Sequence, residues 1–220
     1  MDNFFNLVAE LANGLGVTLS LFALTLIISI PLGFLGSQIS LGKNKVGKGI
    51  YNVYLTLMRG TPLILQVLFL YFGLNLLLTN MGAAFRIGRF ESALLSFVLN
   101  YTAYYSEIFR GGIQSLNRGQ YEASSVLGLS KGLTLRKIVI PQVFKIVIPS
   151  LGNEVINLVK DTALVSIIAL GDLLKMAQSA AMREASVIPF IVAMLFYLAI
   201  NAIVSLVLKK IEKRMNYYRI

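Results

Sequence analysis

The chain has no cysteine and no histidine. The first absence excludes a disulfide framework and thiolate metal sites, and it leaves the redox compartment unreadable. The second removes the usual proton shuttle and the commonest metal ligand. Charge is also scarce: 14% of the 220 residues are charged, against about 25% in ordinary soluble domains. A glycine-rich phosphate loop closed by Lys-Ser/Thr is missing, so the chain cannot be its own ATPase. Paired His ligands and a base-assisted nucleophile are missing as well. The chemistry expected of this chain is therefore that of neither an enzyme nor a metal protein.

What is present is apolar sequence, 56% of the whole. Runs of about 20 apolar residues match the length at which a helix crosses about 30 Å of hydrocarbon. They predict an all-α integral membrane protein with about five transmembrane helices, at about 15–38, 50–79, 90–110, 146–174 and 188–208. The N-terminal MDNFFNLVAELANG has no basic leader, and the apolar run after it is too long for a signal peptide, so it is expected to stay as a span. No internal repeat or soluble domain stands out, and residues 1–220 are read as one membrane domain.

The net charge of +10 does not point to nucleic acid, because the basic residues lie between apolar segments instead of on one soluble face. Their distribution sets orientation. With the N-terminus outside, Lys43, Lys45, Lys48, Arg118, Lys131, Arg136, Lys137, Lys145, Lys209, Lys210, Lys213, Arg214 and Arg219 all fall in the cytoplasm. Only Arg86, Arg89, Lys175 and Arg183 fall outside. The C-terminus and a long loop at about 113–145 are thereby placed in the cytoplasm.

Three stretches carry the functional signal. In the second span, Arg59-Gly60-Thr61-Pro62 interrupts a helical pattern, because proline disfavours helical geometry at the residue before it. A broken helix in a membrane exposes backbone groups to a polar solute; the bland reading is a kink with Arg59 snorkelling to the headgroups. Pro31, Gly33 and Gly36 are expected to bend the first span. The third span is polar in its later half, and the pair Tyr104 and Tyr105 reads as packing more readily than as ligand contact. In the fourth span, Glu154, Asn157 and Asp161 share one helical face: at about 100° per residue Asp161 lies about 20° and Asn157 about 60° from Glu154, and the carboxylates are about 10 Å apart along the axis. Carboxylates at membrane depth either line a wet cavity or pair with Arg or Lys of a neighbour. Both readings stay open.

The third stretch is the loop Gln120–Pro141. Its punctuation predicts two short helices: Gly128 in the left-handed conformation closing the first, Ser130 capping the second, and Pro141 interrupting it. Glu122-Ala123-Ser124, Gly128 at its spacing, and Ile138, Ile140 and Pro141 resemble the EAA loop of permease subunits of ATP-binding-cassette importers, with Ser124 and Ile140 as conservative departures. The flanking RGTPLILQ, AYYSEIFRGGIQSLNRGQYEAS and LGNEVINLVKDTALVSII resemble the polar amino acid branch, so the likeness runs from about Arg59 to Ile168.

The resemblance implies a transport subunit and no enzyme, in a prokaryotic plasma or inner membrane. It implies a second permease subunit, identical or related, two cytoplasmic ATPases, and an extracytoplasmic substrate-binding protein. No cofactor or metal is expected on this chain, and ATP and Mg belong to the partner ATPase. Glu122, Ala123, Ser124 and Gly128 would form the ATPase-coupling surface. Glu154, Asn157, Asp161, Arg59, Gly60 and Thr61 are the expected substrate-binding residues. The acidic pair leans towards a basic amino acid such as arginine, lysine or histidine, with glutamine and glutamate still open. The alternative is an ion-coupled carrier or channel without an ATPase, using Glu154 and Asp161 as cation sites; the EAA spacing speaks against it.

Overall fold

A computed structural model describes residues 2–215; Arg219, counted above among the cytoplasmic basic residues, lies outside them. Among the described residues the chain forms eight helices. α1 is Asp2–Leu41, α2 Lys45–Gly60, α3 Leu63–Asn80 and α4 Arg89–Gln114. α5 is Arg118–Val126, α6 Lys131–Ile168, α7 Leu173–Glu184 and α8 Ile188–Met215. Four of them, α1, α3, α6 and α8, are long and apolar enough by themselves to cross a membrane. The chain is a multi-pass membrane protein.

α4 covers the stretch expected as the third span but is not among these four, and its polarity has a structural reason. Its 26 residues extend about 39 Å at 1.5 Å per residue, and much of the helix is surrounded by protein instead of lipid. Phe97, Tyr101, Tyr105 and Phe109 are buried at the centre of the main core with Leu21, Val143, Val147 and Leu158. Its hydroxyl-bearing residues Ser92, Ser96 and Ser106 are buried as well.

The most extensive helix pair is α1 against α4, and small residues permit it. A Cβ on Gly33 would stand 2.6 Å from Tyr105 Cβ and 3.1 Å from the Ser106 backbone nitrogen. Thr25, Ser29, Ser37 and Ser40 of α1 are buried too. α1 remains one helix through Pro31, and Gly33 serves its close approach to α4. A smaller core at the opposite end joins Leu7 and Leu11 of α1 to Leu173, Ala177 and Ala180 of α7 and Val192 of α8. There Arg183 makes a bidentate pair with Glu10 at 2.8 and 2.6 Å.

Two prolines act differently. Before Pro62 the chain leaves helical geometry, with Thr61 at φ −121° and ψ 144°, as expected of a residue preceding proline. Pro141 does not interrupt α6, contrary to the expectation. The ring's clash with the preceding turn and its missing N–H are absorbed by a wide π-helical turn over Leu135–Val139, in which the Ile140 N–H donates to Leu135 O. The helix then continues to Asp161 and tightens into a 3₁₀ turn, Thr162–Ile168. α7 fills the interval between the expected fourth and fifth spans, and Asp172 caps it by accepting from Leu174 N and Lys175 N.

Candidate functional site

The broken helix and the acidic face, separate in sequence, line one cavity of about 570 Å³, within the range of about 300–1,000 Å³ usual for small-molecule sites. Arg59, Gly60 and Thr61 enter from α2, and Glu154, Asn157 and Asp161 from α6. Pro62, Leu63, Asn100, Tyr101, Tyr104 and Leu164 complete the wall.

The break is held open by side-chain amides. Pro62 has no N–H, so the Met58 carbonyl lacks its helical donor. The Gln66 amide donates to Met58 O at 3.0 Å, to Thr61 O at 3.1 Å and to Thr61 Oγ1 at 2.9 Å. The Asn100 amide of α4 donates to Met58 O at 2.9 Å and to Gln66 Oε1 at 3.0 Å. Both residues are buried, and buried backbone groups need such partners. The Thr61 hydroxyl in turn donates to Leu57 O. The nonhelical backbone at Thr61 is therefore fixed in place and presented to the cavity.

Charge in the cavity is arranged in two groups. The Asp161 carboxylate accepts from the Tyr101 hydroxyl at 2.7 Å. Among the described residues neither Asp161 nor Glu154 forms an ion pair, so the reading in which each pairs with a neighbouring Arg or Lys does not describe this structure. Arg59 is 3.1 Å from Glu107 and its guanidinium lies 5.7 Å from the Tyr104 ring centroid. Glu107 is shared: Arg110 grips it with two bonds of 2.8 Å. The two tyrosines divide, Tyr105 buried in the core and Tyr104 on the cavity wall. Among the described residues no three Asp or Glu side chains converge as a metal site would require.

Sequence reasoning found six of the lining residues and missed Asn100, Tyr101 and the bracing Gln66. Asn100 stood in the polar half of its span, but nothing in a linear pattern tells which partner a buried amide meets.

The residues expected to couple to an ATPase lie on and beside α5. Asn117 caps the helix by accepting from Gly119 N. Gly128 sits at φ +69° beyond its end, and Ser130 caps α6 by accepting from Leu133 N, both as expected. Glu122, Ala123 and Gly128 are exposed. Ser124 faces inward, 2% exposed, with its hydroxyl donating to Gln120 O. The apolar Val126 and Leu127, missed from the sequence, stand 88% and 74% exposed on the same loop; an apolar pair ending a polar helix was the available signal.

The fold and sequence match known proteins over nearly the whole chain. The arginine transport system permease protein ArtQ of Bacillus subtilis is 35% identical over 204 residues, 92% of this chain and 91% of that protein. The putative glutamine transport system permease protein GlnP of Rickettsia typhi is 32% identical over 213 residues, 96% of this chain and 95% of that one. A crystal structure of an amino acid ABC transporter with histidines superposes with a TM-score of 0.86 at 30% identity, covering 96% and 97% of the two chains. The family model of the binding-protein-dependent transport system inner membrane component matches residues 29–217. The chain belongs to that family: it is a permease subunit of an ATP-binding-cassette importer, a transport component and not an enzyme.

Proposed function

We propose that this permease, paired with an identical or related second subunit, encloses the pathway of an ATP-driven importer for a basic or other polar amino acid, with the cavity between α2, α4 and α6 as its substrate site. The observation that carries this reading is the union in one cavity of the nonhelical backbone at Gly60 and Thr61 with two carboxylates free of ion pairs. A zwitterion needs donors for its carboxylate and acceptors for its ammonium. Arg59 and the backbone of the break supply the first; Glu154 and Asp161 supply the second, or meet a cationic side chain. Arginine heads the preference because of this acidic pair, and because one relative is named for arginine transport; glutamine is the runner-up.

Family membership and the placement of the basic residues support the remainder of the reading. The N-terminus is outside, and α5 and the C-terminus lie in the cytoplasm of a prokaryotic cell, so that the basic residues crowd the inner face. α5 docks on a cytoplasmic ATPase, which carries ATP and Mg, and an extracytoplasmic binding protein delivers the amino acid at the other end. Glu122, Ala123, Gly128, Val126 and Leu127 make the docking surface, and Ser124 supports it from beneath. Closure of the ATPase pair moves this surface and alternates access to the cavity as a rigid-body change.

Glu154→Gln tests the site. Losing one charged acceptor removes about 1.5–3 kcal/mol, so the KM for arginine uptake rises about tenfold or more, while the ATPase still co-purifies. Unchanged uptake removes Glu154 from the site.

A further inference from the structure

A second cavity, of about 590 Å³, adjoins the first on the side of α5 and shares Arg59 and Gly60 with it. Ser40 at the end of α1, Lys48, Asn52 and Thr56 of α2, and Arg110 and Gln114 of α4 line it. The proposed function assigns it no role. Its position comes from α2, where Lys48, Asn52, Thr56 and Arg59 recur every three or four residues and so form one polar stripe. The helix's other exposed stripe, Val46, Ile50, Val53 and Leu57, is apolar and suits lipid or a neighbouring apolar surface. A polar stripe beside an apolar one suits water or a polar solute.

The sign of charge reverses between the two cavities. Glu154 and Asp161 give the first its acidic wall. The second has Lys48, Arg59 and Arg110 against the single carboxylate of Glu107, already held by Arg59 and Arg110. Among the described residues Lys48 forms no ion pair. Ser40, 3% exposed, has a buried hydroxyl with no hydrogen-bond partner. The second cavity therefore holds an excess of donors and positive charge over what the fold uses, the pattern that receives a carboxylate.

We propose that the second cavity is a release site, in which Lys48 and Arg110 take the carboxylate of the amino acid after it passes the Arg59–Glu107 pair and before it reaches the cytoplasm. The inference rests on the reading above that the first cavity takes substrate and that α5 is cytoplasmic. An anionic lipid headgroup would satisfy the same donors, but the cavity shares Arg59 and Gly60 with the proposed substrate site, whereas the apolar stripe of α2 is a different face.

The test uses the assembled transporter in inside-out proteoliposomes, with binding protein and labelled L-arginine in the lumen and ATP outside. L-arginine added outside, on the cytoplasmic face, inhibits transport more strongly than L-arginine amide, which lacks the carboxylate. Lys48→Gln raises this inhibitory concentration about tenfold, more than it raises the luminal KM, and Lys48→Arg restores it. Equal inhibition by the amide, or a shift confined to the luminal KM, overturns the proposal. So does inhibition that follows the phosphatidylglycerol content of the vesicles instead of L-arginine. Equilibrium binding of labelled L-arginine to the purified transporter needs no transport: a second, weaker class of site that the amide does not occupy supports the proposal, and a single class refutes it. Glu154→Gln separates the two readings, because a luminal KM unmoved by that change defeats the first cavity's role while the cytoplasmic inhibition still reports on the second.

Discussion

Gln66→Leu is the sharpest probe of how the substrate cavity is built. Leucine fills a similar volume but leaves the break at Thr61–Pro62 without its main brace. The Gln66 amide has two hydrogens for its three acceptors, so it supplies about two full hydrogen bonds, and its carbonyl accepts a third from Asn100. At about 1 kcal/mol each the gross loss is about 3 kcal/mol. Two reliefs reduce it: Met58 O keeps the Asn100 amide at 2.9 Å, and the exposed Thr61 turns to water. The net loss is about 2 kcal/mol, consistent with side-chain bonds between membrane helices that run to about 1.7 kcal/mol apiece.

The assay is a double-mutant cycle with Asn100→Leu, read as denaturant stability of the assembled transporter and as the KM for uptake. Gln66 and Asn100 share both a mutual bond and the Met58 carbonyl, so the double variant should cost less than the sum of the singles by about 1 kcal/mol. The KM should rise in each single variant, because the backbone at Gly60 and Thr61 loses its fixed position. Additivity within about 0.3 kcal/mol, or a wild-type KM in Gln66→Leu, would refute the idea that the amide pair holds the break.

Pro62→Ala restores an N–H that can compete for Met58 O and lifts the constraint that keeps Thr61 out of helical geometry, so the break is expected to be populated less and uptake to fall; a variant with normal uptake would show that the break is dispensable. Gly33→Ala places a Cβ 2.6 Å from Tyr105 Cβ and should cost about 1–3 kcal/mol by overpacking, seen as a lower yield of folded complex, whereas Gly16→Ala, with nothing within 4 Å of the added atom, serves as the tolerated control. Gly128→Ala meets no steric obstacle but must hold φ at +69°, a strain of about 1 kcal/mol; ATPase co-purification should weaken, and Gly128→Asn, which tolerates the left-handed region, should retain more of it.

Several features that depend on local chemistry were legible in the sequence. The end of α5 at Gly128, the cap at Ser130 and the nonhelical Thr61 each follow from one residue's backbone preferences, and each stands in the structure as expected. The shared face of Glu154, Asn157 and Asp161 needed only helical periodicity. That the break in α2 and this face meet in one cavity was not legible, because nothing within either helix fixes how they approach; that depends on the packing of α4 between α1 and α6. The same holds for Gly33, whose spacing is compatible with a bend or with close contact until Tyr105 is placed against it.

The mistaken expectation at Pro141 bears most on mechanism. Had proline broken the helix there, a displacement of α5 would be absorbed at the break before reaching the cavity. Instead the π-helical turn lets α6 run on from the Ser130 cap beside α5 to Asp161 in the cavity wall. From Lys131 to Glu154 the helix spans about 35 Å at 1.5 Å per residue. One rod therefore joins the proposed ATPase surface to the proposed substrate carboxylates, and it is clamped along its length by Val143 and Val147 in the α4 core, with Gly112 admitting Val147 closely. A packed helix moves by shear or rotation as a body instead of flexing. On the proposed function, a movement of α5 would reach Glu154 and Asp161 through this helix, whereas the break in α2 is braced by Gln66 of α3 and Asn100 of α4. The two halves of the proposed site thus belong to different elements, and only the acidic half lies on the helix that begins beside α5.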